Sequence, residues 1–338
     1  MNEIDSILPQ ALRRVLSALP IHIRENVEEI RLRQNLPVEI RFGQQNHFLT
    51  EAGQITTNFR LGYVFREELS GQLLNQISQH SLYALEEELK RGYITIVGGH
   101  RIGISGKVVM ERGEVKGIRD ITSFNIRIAK EKRGVAKPVL SYLYERGRIL
   151  NTLIISPPQC GKTTLLRDMA RSISYGNECS SSRKVAIVDE RSELAGCLNG
   201  VPQRDVGPRT DVLDACPKAV GMMMMIRSMS PDVIIVDEIG RPEDSEAIWE
   251  AIHAGVSVIC SAHGIDLADI SRRPGLGKLI QQGAFQRYIV MGRSRGVGTI
   301  HGIYDERYNL MQKPLDQSRN QPPDKPQTQM SQKEQLPC

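Results

Sequence analysis

The stretch Ser156-Pro157-Pro158-Gln159-Cys160-Gly161-Lys162-Thr163-Thr164 constrains the chain more than any other. Asn151-Thr152-Leu153-Ile154-Ile155 precedes it and reads as a buried strand. Leu165-Leu166-Arg167-Asp168-Met169-Ala170-Arg171 follows it and reads as a helix. Strand, loop, Gly-Lys-Thr and helix is the order that a phosphate-binding loop needs. The loop's N–H groups and the helix N-terminus present partial positive charge to a polyphosphate. In this reading Lys162 reaches the β and γ phosphates, and the Thr163 hydroxyl serves Mg²⁺. The pattern ordinarily opens with Gly, and Ser156 stands in that place.

A second segment strengthens the reading. Pro231-Asp232-Val233-Ile234-Ile235-Val236-Asp237-Glu238 is a continuous apolar run ending in two acids. A strand buried on both faces of a parallel sheet looks like this. Asp237 at its end would complete the Mg²⁺ shell, and Glu238 would orient an attacking water. Two more apolar runs end in polar residues. One leads into Asp189-Glu190-Arg191-Ser192-Glu193, the other into Ser261-Ala262-His263-Gly264. Asp189 and Glu190 therefore compete with Glu238 for the water, and residue order alone leaves the choice open. His263 is placed to sense the γ phosphate. Transfer of a phosphoryl group to water also calls for an arginine beyond Lys162. Arg101, Arg119, Arg127, Arg204 and Arg209 are the candidates.

Strands at 152–155, 184–189, 232–237 and 256–261 alternate with helices at 162–175, 212–228, 243–254 and 266–272. This alternation predicts a parallel sheet with helices on both faces and a ligand at the carboxyl ends of its strands. A closing hairpin is expected from 288–291 and 297–304. The first half reads differently. An amphipathic helix over 3–19 is followed by short strands at 27–33 and 37–42 and a helical region over 66–91. Gly-rich strands over 92–128 come next, the last two at 114–116 and 124–128, so residues 1–137 form a smaller α+β domain. Residues 129–137 are a charged linker, 138–311 the nucleotide-binding domain, and the Gln- and Pro-rich residues 312–338 a disordered tail. The Met222–Met225 run reads as core or as a pliable subunit contact.

The 338 residues carry a net charge of +5, a mild balance that does not by itself specify nucleic acid. A nucleic-acid-stimulated ATPase or binding protein is the alternative reading that the basic balance permits, and one Trp and six Phe count against it by leaving few stacking platforms. No run is long enough to span a membrane. The six Cys lack any Cys-x-x-Cys pair, which points to reduced thiols and not to a zinc site.

Taken together, the loop 156–164, Val188-Asp189-Glu190-Arg191-Ser192-Glu193-Leu194-Ala195-Gly196, Pro231 to Arg241 and Ser261 to Gly264 resemble the stage III sporulation AA family. The likeness extends to Val27–Arg33 and to Gly98–Gly103. These proteins belong to the secretion-type P-loop ATPases. The resemblance implies a RecA/AAA-like core, ATP and Mg²⁺ as cofactors, and a homo-hexamer in the mother-cell cytoplasm. It also implies membrane-embedded channel proteins as partners. Asp189, Glu190 and Glu193 match that group's acidic box, and His263 its His box. Ser156 and the Asp-Glu-Arg order of the acidic box depart from the group's pattern.

Overall fold

The computed structural model describes residues 2–43, 45–78, 85–111 and 113–312. The expected tail beyond residue 312 lies outside them. Two sheets organise the chain. The first takes β1 (Val27–Arg33), β2 (Glu39–Phe42), β3 (Gln45–Leu49), β4 (Ile55–Thr56), β5 (Tyr93–Ile96), β6 (His100–Glu111) and β7 (Glu114–Arg127). Their order is β4-β3-β2-β1-β7-β6-β5, with every neighbouring pair antiparallel. Alternation along the strands sends Ile30, Leu32, Ile40, Ile94, Ile102, Phe124 and Ile126 into one core. Helices α1 (Asn2–Ile7), α2 (Gln10–Ser17) and α3 (Glu67–Ile77) supply Ile4, Leu12, Leu16 and Leu73 to that core, Leu8 enters it from between α1 and α2, and α4 (Glu86–Arg91) adds partly buried Leu89.

Two expectations are corrected here. The helix read over 3–19 is two helices, because Pro9 has extended ψ and lacks the N–H that a continuous helix needs. The two strands read at 114–116 and 124–128 are one strand of 14 residues, β7. It pairs with β6 on either side of residues 120–122, and register slips between Ser105 and Lys107 and between Val109 and Met110 absorb the irregularity. Gly106 lies at the first slip, where a Cβ would come within 2.6 Å of the Arg119 carbonyl oxygen.

The second sheet is the mostly parallel one. It takes β8 (Thr152–Ser156), β9 (Val185–Asp189), β10 (Thr210–Asp214), β11 (Val233–Val236), β12 (Ser257–His263), β13 (Arg287–Gly292), β14 (Thr299–Tyr304) and β15 (Leu310–Gln312). The order is β10-β9-β11-β12-β8-β13-β14-β15. The pairs from β10 to β13 are parallel, and the last two are antiparallel. Its central strands are mostly apolar and buried because both faces are covered. Leu153, Ile155, Val188, Ile234 and Val236 pack on α6 (Lys218–Met229), α7 (Pro242–His253) and α9 (Pro274–Gln281). Ile154, Ile187, Ile235 and Ile259 pack on α5 (Lys162–Tyr175). A one-and-a-half-turn helix, α8 (Leu267–Ser271), follows β12.

The chain is thus α/β, with a mostly parallel sheet covered on both faces by helices and preceded by a smaller α+β unit. A further correction concerns the helix read over 212–228. Residues 210–214 form the edge strand β10, and the helix starts at Lys218 because Pro217 disfavours a helical residue before it. The apolar core of the first sheet ends at Ile128, and that of the second begins at Val135. Asp168, buried on α5, accepts a hydrogen bond from the Ala136 N–H at 2.7 Å and so anchors the incoming linker.

Candidate functional site

β8 delivers Ser156 into the middle of the sheet, directly opposite His263 of β12. Ser156 is fully buried, and its Oγ donates to the Pro157 carbonyl at 2.9 Å. It is absent from the positive-φ residues, so the opening position of the loop needs no glycine here. The left-handed positions come later, at Gln159 (φ 57°) and Gly161 (φ 89°). Gly161 is the N-cap of α5, so the chain turns from loop into helix at Lys162. Pro157, Pro158 and Cys160 complete the loop, and the Gln159 carbonyl accepts from Arg293 at 2.6 Å. Thr164 lies in the first turn of α5.

Lys162 is buried, and its ammonium donates to Nδ1 of His263 at 2.8 Å. Burial lowers its pKa, against the opposing pull of Asp237 and Glu238. The other ring nitrogen of His263, Nε2, lies 2.8 Å from Glu238 Oε1. Accepting at Nδ1 makes Nε2 the protonated nitrogen, so the ring is neutral and donates to the carboxylate. The second oxygen of Glu238 meets Arg191 at 2.9 Å. Lys162, His263, Glu238 and Arg191 therefore form one continuous polar chain across the strand ends.

Thr163 Oγ1 donates to Asp237 Oδ2 at 2.9 Å, and Ser261 Oγ donates to Asp237 Oδ1. The residue after Asp237 is strained. Glu238 has φ 53°, and its N–H donates to Ser261 Oγ at 3.0 Å. A non-glycine residue held there is over-determined by its surroundings, a common trait of working sites. The Thr163 hydroxyl and the Asp237 carboxylate are oxygen donors in contact, which suits a hard divalent cation. Among the described residues no three His, Cys, Asp or Glu side chains gather into a metal cage. Mg²⁺ fits such a site, because it commonly takes one or two protein oxygens and fills its shell with phosphate and water.

The acids after β9 are differently employed. Asp189 is buried, with Oδ1 accepting from the Glu193 N–H at 2.8 Å and Oδ2 from the Ala195 N–H at 2.9 Å. Burial raises its pKa, while those N–H groups pull the other way. The geometry makes it the keystone of the 190–195 loop. Glu190 is bonded to Lys218, which lowers its pKa, and Arg241 lies 3.8 Å away. Arg167 binds the loop from below through the Leu194 and Glu193 carbonyls. Its pKa is lowered to about 10, chiefly by burial.

The first sheet grips the same loop. Arg101 donates to the carbonyls of Arg191 and Ser192 and pairs with Glu193 at 3.1 Å, while lying over the Tyr93 ring at 4.7 Å. Arg204 donates to the Gly99 carbonyl at 3.0 Å, and Arg209 to Ser182. Arg119 lies away from this seam, on the outer part of the β6–β7 hairpin. Arg101, Arg127, Lys130, Arg167 and Arg204 line a cleft of about 300 Å³ that opens beside Thr163 and Thr164.

Lys218, Arg167 and Tyr93 were missed by sequence reasoning. Each acts through burial or stacking against a distant segment, and nothing in its local pattern signals that.

Comparison with known proteins gives a consistent picture. The family described as sporulation stage III, protein AA, matches residues 1–311. The stage III sporulation protein AA of Bacillus subtilis (strain 168) is 53% identical over 312 residues, covering 92% of this chain and 97% of that one. The ATPase DotB of Legionella pneumophila is similar in fold, with a TM-score of 0.53 at 16% identity over 83% of this chain and 74% of that one. The pilus retraction motor PilT, solved with bound ADP, has a TM-score of 0.50 at 17% identity, over 80% of this chain and 76% of that one. At such identities these two structures establish the fold alone.

Proposed function

Since the chain belongs to the sporulation stage III, protein AA family, we propose that it is a Mg²⁺-dependent ATP hydrolase that energises or assembles a membrane channel during sporulation. The observation that carries the hydrolase reading is the contact between Thr163 and Asp237, with Lys162 beside it on the same helix end. In this reading the N–H groups of residues 157–164 and the α5 N-terminus hold the phosphates. Lys162 leaves His263 to neutralise the β and γ phosphates. Thr163 and Asp237 hold Mg²⁺, whose charge would stabilise the phosphoryl group in transfer.

Glu238 is the acid that orients the attacking water. It stands next to the cation site, and its partners His263 and Arg191 are side chains that can give way. Asp189 is committed to its loop, and Glu190 to Lys218. His263, freed from Lys162, senses the γ phosphate through Nδ1. Motion follows from the seam. Arg191, which pairs with Glu238, belongs to the loop that Arg101 holds, so a change at the phosphate alters the grip of residues 1–137 on residues 138–311.

We place the protein at the cytoplasmic face of the mother-cell membrane, as a homo-hexamer working with membrane-embedded channel proteins. No helix among the described residues is long and apolar enough to cross a membrane. The test is steady-state phosphate release from ATP with and without Mg²⁺. The reading expects turnover that needs the metal and that Lys162→Ala removes. Turnover unchanged in Lys162→Ala would overturn it.

A further inference from the structure

Two unmatched surfaces remain outside the nucleotide site. The first is the outer part of the β6–β7 hairpin. Beyond the slip at Gly106, Lys107 through Glu111 pair only with Glu114 through Arg119, so the hairpin leaves the sheet as a two-stranded ribbon. Helix α4 packs on its base beside Gly117, and Ile118 packs on the first core, so it is the tip that stands clear. The ribbon exposes Val108 (51%), Met110 (56%) and Val115 (42%). It also sets Lys107 directly across from Arg119, a like-charged pair that costs stability unless something negative covers it. No acidic side chain among the described residues pairs with either one. Residues 107–119 hold four basic and two acidic side chains.

The second surface is a groove of about 500 Å³ between α6 and α7. Its floor exposes Val220 (56%) and Met224 (50%), although their neighbours Met222 and Met225 are core. Its rim carries Glu243, Glu246 and Glu250, one face of α7, against a single Arg227. None of the three carboxylates has an ion-pair partner among the described residues. Exposed methionines form a pliable apolar floor that accommodates varied shapes.

We infer that the ribbon tip of one copy of this chain seats in the α6–α7 groove of the next copy. Apolar meets apolar, and the net positive tip meets the net negative rim. The two patches differ and lie on different sheets, so the contact is head-to-tail and repeats around a ring until it closes. It rests on the proposed ring and names the surfaces that build it. It also ties the first sheet of one subunit to the ATPase sheet of its neighbour, so movement at the Arg101 seam is passed along the ring.

The experiment is light scattering of the full chain with Mg²⁺ and a non-hydrolysable ATP analogue. Variants Glu246→Lys/Glu250→Lys and Lys107→Glu/Arg119→Glu each raise the concentration for half-assembly by about tenfold or more. The variant carrying all four changes recovers assembly to within about threefold of the parent. All four side chains are exposed, so melting curves should match the parent. If a charge variant melts early, Met110→Asp, a single exposed change, must show the same loss. Charge-reversed pairs that assemble like the parent, or a fourfold variant that does not recover, overturn the contact. A parent chain that stays monomeric throughout overturns the ring itself, a distinguishable result.

Discussion

In the proposed hydrolysis Lys162 is the residue on which the chemistry turns, and its ammonium is bonded to His263. A buried ammonium held by a neutral imidazole is available to phosphate at small cost, because one hydrogen bond replaces another. Replacing it with alanine removes the charge from the phosphate site, and phosphate release should fall about 10²-fold or more. Glu238→Gln keeps the shape and loses the base. Turnover should drop by ~10²–10⁴, with nucleotide affinity unchanged in an equilibrium titration. That the loop, Lys162, Thr163 and Asp237 meet at the same strand ends was legible from the sequence, because a strand–Gly-Lys-Thr–helix order and an apolar strand ending in Asp place them there. The division of labour among Asp189, Glu190 and Glu238 was not legible. It depends on which carboxylate the backbone of residues 193–195 and the ammonium of Lys218 consume, and those partners become neighbours only in the fold.

At the scale of elements, strands buried on both faces were readable as continuous apolar runs, and the parallel sheet followed from their alternation with helices. The edge strand β10 was not readable, because its five residues are uniformly half-buried and show no alternation that would separate a strand from the start of a helix until Pro217 is weighed. Helix α6 separates its methionines by period. Met225→Ala should cost about 2–5 kcal/mol in chemical denaturation, and Met224→Ala close to nothing in the same assay. The seam between sheets makes its own prediction. Arg101→Ala removes three hydrogen bonds from the 191–193 segment, so amide exchange of residues 190–195 should speed up by about tenfold or more. As a positioning residue it should lower kcat more than it raises KM.

The molecule as a whole carries a pH dependence outside the candidate site. His100 is buried beside the Ala129 N–H, which it accepts at 3.0 Å, and its pKa is pushed down to about 4 by burial, with Arg204 adding to the effect. Between pH ~6.5 and ~4 the unfolded chain holds a proton on this residue that the folded chain does not. Stability therefore falls as pH drops through that window, by ~3 kcal/mol from this residue, and levels off below it. Urea midpoints at pH 7 and pH 4.5 should diverge less in His100→Gln than in the parent. The two sheets meet at the 190–195 loop and at residues 203–205, with Lys162, Thr163 and Asp237 on one side of the loop and the Arg101 grip on the other, and the proposed function uses the chain as a lever. The measurement that bears most directly on it is a structure with Mg²⁺ and a non-hydrolysable ATP analogue. The account predicts the cation between Thr163 and Asp237, Lys162 moved from His263 onto the phosphates, and Glu238 released towards a water. Nucleotide lodged elsewhere, or Lys162 still on His263 with phosphate bound, would contradict it.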